Sequence, residues 1–192
     1  MKKINRDIVK DFNKFISLVK DRKHTSERTI TLNSQKPNRK DINYNESDLK
    51  HVILTDKIRL LIEVKRANYT SFKFKLRCET FTQEPYFRFD SDGAAHKNDN
   101  PAIPLKEQMV TTPHFNSFDN EGRSIAYKTE KLKNVSEAKA LEDISLCFAH
   151  FSHESNIRYP EDEITEIIPT PSTELKLDTN NDDILSNINF SK

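Results

Sequence analysis

The chain has 192 residues, of which 34% are hydrophobic and 32% charged, with a formal net charge of +1. That length suits one domain with a real core, while the polarity argues for a small core, a heavily charged surface and some poorly packed chain. No apolar run approaches the roughly 18 residues that cross a bilayer, and only two glycines in the whole chain argue against nucleotide folds built on glycine-rich phosphate loops.

The N-terminus MKKINRDIVKDF has a positive start but no apolar stretch of the signal-peptide kind. A cytoplasmic location without a membrane partner is expected. Residues 2–23 carry Ile4, Ile8, Phe12, Phe15, Ile16 and Val19 at three- and four-residue spacing, which predicts an amphipathic helix. Residues 24–50 are polar, with a strand expected at RTITL and a loop through NSQKPNRKDINYNESD. HVILTD, KIRLLIEVKR and SFKFKLRCET then predict three consecutive strands. In the second, Ile58, Leu60, Ile62 and Val64 face inward; in the third, Phe72, Phe74, Leu76 and Cys78 do so. Arg59, Lys65, Lys73, Lys75 and Arg77 face out.

EPYFRFD alternates in the same way, with Phe87 and Phe89 toward the core and Tyr86, Arg88 and Asp90 on the other side. Gly93 supplies the positive φ for the turn SDG. After an irregular connection with three prolines, HFNSF and RSIAYKT flank DNEG as a hairpin. His114, Asn116 and Phe118 share one of its faces and Phe115 takes the other. A second helix is expected from Ser136 to Asn156, capped by Asn134 with Glu137 in capping-box position, and with Leu141, Ile144, Phe148 and Phe151 as its apolar stripe. Cys78 and Cys147 both sit within apolar patterns and read as buried free thiols. The expected architecture is α+β: an antiparallel sheet of about five to seven strands packed on an N-terminal and a C-terminal helix. A single domain over 1–159 would be followed by an acidic, low-complexity extended tail over 160–192, ending in the apolar plug ILSNINF.

Charge is uneven along the chain. Residues 1–80 hold 20 Lys/Arg against 10 Asp/Glu, and the remainder 11 against 20. A basic half invites an anionic partner such as nucleic acid; the plainer alternative is that the halves neutralise one another in the fold. The outward row Lys73, Lys75 and Arg77 can track a phosphate backbone, or simply solvate the sheet and guard against edge pairing.

RFDSDGAAHKN poses a sharper question. If its strand and the HFNSF strand are neighbours, Arg88, Asp90, His114 and Asn116 converge, with His96 and Lys97 from the loop and Lys128 from IAYKT beside them. Arg and Lys hold phosphate, and two imidazoles of near-neutral pKa can act as general base and acid. His96 and His114 are therefore the candidate catalytic pair of a metal-independent ribonuclease. Arg88, Asp90, Lys97, Asn116 and Lys128 are candidate binding residues, together with Lys73, Lys75 and Arg77. His96, His114 and Asp90 are also conceivable metal ligands, but no close-spaced pair supports that. In CFAHFSHE, Cys147, His150, His153 and Glu154 recur at helical spacing, yet Cys147 adjoins the apolar stripe. Neither a metal nor a cofactor is expected. The structural alternative has Asp90 and Asn98 organising the turn while His96 and His114 pin the long connection.

The central run FRFDSDGAAHKN…IPLKEQMVTTPHFNSFDNEGRSIAYKT resembles a bacterial and phage family of small proteins of unknown function. Its pattern is an aromatic, Arg-x-Asp, a glycine turn, a histidine and asparagine, then Pro-His-x-His, an acidic-Gly loop and Ala-Tyr. Arg88, Asp90, Gly93, His96, Asn98, Pro113, His114, Gly122, Ala126 and Tyr127 match it, over about 45 residues. Asn116 stands in place of the second histidine, which removes half of a natural metal or acid–base unit. The resemblance implies a mobile-element setting, with roles in toxin, defence or anti-defence biology. Three functions remain in view: a binding protein engaging nucleic acid or a nucleic-acid-bound host complex, a small ribonuclease, and a protein-interaction module acting through its acidic tail.

Overall fold

A computed structural model describes residues 4–100 and 102–169, which form a mixed α+β fold dominated by one large curled sheet. The helix expected over residues 2–23 is two helices, α1 (Arg6–Lys10) and α2 (Phe12–Lys20). Asp11 breaks the run at φ −143° and ψ 72°, and its carboxylate caps α2 by accepting the Lys14 N–H at 2.9 Å. The break changes the buried set: Ile8, Phe15, Leu18 and Val19 are buried, while Ile4 and Ile16 remain 54% and 41% exposed. At the other end of α2, the wholly buried Lys23 ammonium donates to the Leu18, Val19 and Asp21 carbonyls, satisfying helix-terminal acceptors.

Four strands follow: β1 (Lys23–His24), β2 (Thr29–Leu32), β3 (Ser34–Lys36) and the 13-residue β4 (Arg39–His51). The expected loop at 39–50 is thus a strand. Asn43 and Ser47 are among its buried residues beside Ile42 and Leu49, so apolar alternation is weak there. Long-range pairing with β5 (Ile58–Lys65), from Ile42↔Lys65 to Leu49↔Ile58, supplies what local pattern does not. HVILTD is no strand either. Only His51 belongs to β4, and Val52 and Ile53 lie 51% and 71% exposed in the connection to β5.

β6 (Asn68–Cys78) and β7 (Thr82–Asp90) continue the antiparallel sheet. The expected inward sets of β5 and β6 are all buried. Tyr86, expected on the polar side, is instead fully buried. It sits where the β6–β7 register shifts between Leu76 and Cys78, and such irregularities re-aim side chains. β8 (His96–Lys97) and β9 (Met109–Val110) form a small ribbon inside the long connection. β10 (His114–Phe118) and β11 (Ser124–Tyr127) form the expected hairpin, with Gly122 at φ +70° in its loop. Phe118 does not stay with His114 and Asn116: it meets Phe15 edge-on at 6.1 Å.

The helix expected over Ser136–Asn156 is divided into α4 (Val135–Ala140) and α5 (Ile144–Glu154), preceded by α3 (Glu130–Lys133). Asn134 caps α4 through the Ser136 and Glu137 N–H groups, as its spacing predicts. From α5, Phe148 and Phe151 each bring a ring to 5.3 Å from Phe74. β12 (Ile157–Arg158) runs parallel to β1, and β13 (Glu166–Pro169) runs parallel to β2 with Ile167 buried. The fold therefore passes the boundary expected at residue 159; the acidic stretch from 170 and the plug ILSNINF lie outside the described residues.

The main sheet runs β11-β10-β7-β6-β5-β4-β1-β12 with β3 also on β4, nine strands among the described residues rather than five to seven. The excess comes from short strands and from β4, where the sequence lacks the period. Among the described residues no helix is long and apolar enough to cross a membrane.

Candidate functional site

β10 pairs with β7 in the register His114↔Asp90 and Asn116↔Arg88, and β6 pairs with β7 as Lys73↔Asp90 and Lys75↔Arg88. Phe89 and Phe115 of the same strands are buried in the core, so the alternating residues meet on the opposite face. Asp90, 5% exposed, is the hub. Its carboxylate forms ion pairs with Arg88 Nε at 2.8 Å and Lys73 Nζ at 3.2 Å, and accepts a hydrogen bond from Asn116 Nδ2 at 2.8 Å. His114 Nε2 lies 3.8 Å from the same carboxylate, and the His96 ring is centred 6.3 Å from the His114 ring. Arg88, Asp90, His96, His114 and Asn116 thus come together, and Lys128 is close enough to be felt electrostatically at His114. Lys97 is exposed on β8.

The cluster is more sealed than a catalytic centre requires. The His114 side chain is only 3% exposed. His96 Nε2 lies 3.2 Å from the Ser124 carbonyl. Asn98 does not organise the turn; its amide donates to the Ala126 carbonyl at 2.8 Å and accepts the Ala126 N–H at 2.7 Å, along the β11 edge. Arg88 and Asn116 border a shallow pocket of about 140 Å³. His150 has a structural role as well. His150 Nε2 is 2.9 Å from the Thr129 hydroxyl, and burial pushes the neighbouring Cys147 thiol well up. Among the described residues no group of three or more His, Cys, Asp or Glu side chains is arranged to hold a metal ion.

Burial pushes the His114 imidazole below its ordinary range, with Asp90 and the Thr111 backbone acting against it and Arg88 and Lys128 adding to it. Burial lowers His150 too. Both depressed bases bind a proton in the unfolded chain before they do so in the fold, so stability falls as pH drops through the ordinary histidine range near about 6.5. Urea unfolding from about pH 7 to about pH 5.5, above the range of ordinary carboxylates, is expected to show that loss. The slope should be shallower in His114→Gln and in His150→Gln; an unchanged slope in both variants would remove the assignment.

The outward row of β6 is present, and each member has a carboxylate partner: Lys73 on Asp90, Lys75 on Glu63 at 2.6 Å, and Arg77 at 3.9 Å from Glu79. Arg59, cross-strand from Arg77, pairs with Glu46 and Glu79. Sequence reasoning missed Glu63. It is 6% exposed, and a single oxygen, Oε1, receives both Lys36 Nζ at 2.8 Å and Lys75 Nζ at 2.6 Å. Burial raises its carboxyl, but the two ammoniums win and hold it below the ordinary value. The alternation in IRLLIEVK marks Glu63 as outward; its partner Lys36 could not be found, because β3 lies in a stretch expected as loop. Around them opens a pocket of about 360 Å³ bordered by Lys36, Arg39, Glu63, Lys65, Lys73, Lys75 and Asp92.

Comparison of the chain with protein-family models, with curated proteins and with solved structures gives no match.

Proposed function

We propose that the polar face of β5, β6 and β7 binds nucleic acid, free or within a host complex, in a cytoplasmic and mobile-element setting. The observation that carries the reading is one of sign. Arg59, Lys65, Lys73, Lys75, Arg77 and Arg88 stand on the outward positions of three adjacent strands, against Glu63, Glu84 and Asp90 of those strands, while Glu46, Glu79 and Asp92 pair with Arg59, Arg77 and Lys65 from alongside. A band of cations at strand spacing suits a phosphate backbone, whose affinity comes from counterion release and is read in its salt dependence. The carboxylates between the cations hold the long side chains in place and leave their remaining donors for an anion.

The acid–base reading of His96 and His114 finds less support. His114 sits beneath the Asp90 network with its side chain 3% exposed, and a general base needs contact with the proton that it removes. Binding of fluorescent RNA and DNA oligonucleotides across about 50 to 300 mM salt tests the proposal. A log–log slope is expected that falls by about two to three when Lys73, Lys75 and Arg77 are changed together to alanine. No binding at the lowest salt would remove the reading.

A further inference from the structure

We infer that the pocket between β3, β4, β5 and β6 is a seat for a phosphate monoester or diphosphate group, held by Lys36 and Lys75. The inference deepens the nucleic-acid reading, because Lys65, Lys73 and Lys75 belong to the same face. It rests, however, on a separate observation, the balance of charge inside one cavity.

Five cations, Lys36, Arg39, Lys65, Lys73 and Lys75, border the pocket among the described residues, against the carboxylates of Glu63 and Asp92. Lys65 is paired with Asp92 at 2.6 Å. Arg39 and Lys73 reach Asp41 and Asp90, which do not border the cavity. That leaves Lys36 and Lys75 sharing the one oxygen of Glu63. Two ammoniums against one carboxylate is an undercompensated arrangement, and Lys75 bears most of it with a side chain only 17% exposed. Burial lowers its pKa, against the pull of Glu63. A partly buried cation without a full counter-charge is costly, and a multivalent oxyanion relieves that cost directly. Donor capacity points the same way. An ammonium carries three N–H donors, and Lys36 and Lys75 each direct one to Glu63.

The cavity also has the right scale and lining. About 360 Å³ lies near the lower end for small-molecule sites, suited to one or two phosphoryl groups and small for a whole nucleotide. Its apolar wall comes from Ile42, Val64 and Phe72, all nine-tenths buried or more. Lysine binds phosphate as a point charge without fixed geometry, so charge and size are the features selected, and the group attached beyond the phosphoryl is left free. The phosphate has two possible sources, the 5′ end of a nucleic acid and a free phosphorylated small molecule.

Titration calorimetry with pyrophosphate at low ionic strength tests the seat. Saturable binding is expected, weakened about tenfold or more in Lys75→Met and in Lys36→Met, with Lys133→Met as an unaffected control. Lys36 lies on the short β3 with its side chain 35% exposed, so its variant remains informative if Lys75→Met fails to fold. No pyrophosphate binding, or equal affinity in the folded Lys36→Met protein, overturns the inference. A second arm compares oligonucleotides with a 5′-phosphate and a 5′-hydroxyl. A preference for the phosphate that pyrophosphate abolishes supports the seat with a nucleic-acid source. Pyrophosphate binding without oligonucleotide binding supports the seat with a small-molecule source, and it is then the nucleic-acid reading that fails. Oligonucleotide binding that ignores the 5′ group and is not displaced by pyrophosphate overturns the seat and leaves that reading standing.

Discussion

Phe151→Ala is expected to lower the free energy of unfolding by about 4 kcal/mol, the range for deleting a buried aromatic ring. Phe151 is fully buried, with ring centroids of Phe74 at 5.3 Å, Phe87 at 5.5 Å, Phe115 at 6.2 Å and Phe148 at 6.3 Å. These rings come from β6, β7, β10 and α5 itself, so one side chain ties the helix to three strands. Removing it leaves a void that sheet residues, fixed by their ladders, cannot easily fill. Phe151→Leu keeps most of the volume and should cost about 1 to 2 kcal/mol. Guanidinium unfolding of the two variants checks the size and the ratio; a loss below about 2 kcal/mol for the alanine variant would mean that α5 is not held by this contact.

Gly122→Ala is expected to cost about 3 kcal/mol, although it adds a single methyl group on a loop. Two effects coincide there. Gly122 has φ +70°, a region where any Cβ is strained. A Cβ at that position would lie 2.8 Å from Val9 Cγ2 and closer still to the Asn5 carbonyl oxygen. The loop cannot simply back away, because the Gly122 carbonyl accepts the Asn5 N–H at 2.9 Å and Asn5 is the N-cap of α1. Gly93 provides the comparison. It has φ +122° and nothing within 4 Å of the added Cβ, so Gly93→Ala exposes the backbone strain by itself, about 1 to 2 kcal/mol. Thermal and chemical unfolding of the pair separates strain from clash. Equal losses would show that the contact with α1 yields.

What the sequence made legible followed strength of period. β6 alternates without a fault over Phe72–Cys78 and β5 does so over Ile58–Val64 apart from Leu61, and their inward sets were readable residue by residue. The β10–β11 hairpin was announced by DNEG and the α4 cap by Asn134, both local chemistry. β4 was hidden because Asn43 and Ser47 occupy buried positions that are usually apolar. The two helix breaks, at Asp11 and at 141–143, were hidden because short polar residues there act as caps inside runs that otherwise keep helical spacing.

The candidate site divides along the same line. Pleat gave Arg88 with Asp90 and His114 with Asn116 on shared faces, and their meeting was conditional on the two strands being neighbours, as the β7–β10 register shows them to be. The burial of Asp90, His114 and Asn116 was not readable, since the sequence does not say how His96 and Asn98 lie along β11. The Glu63 pocket needs Lys36 from β3 against Lys75 from β6, a juxtaposition that only the order of the strands reveals.

The side-chain amide of Asn98 has a consequence for how copies of this chain meet one another. β11 terminates its sheet, and such a margin ordinarily offers unspent backbone groups that template a further strand. Here the Ala126 N–H and carbonyl are both engaged by Asn98, and the Ser124 carbonyl lies against His96. An arriving extended segment meets no open donor or acceptor at residue 126, so fibre-like growth along this border is disfavoured.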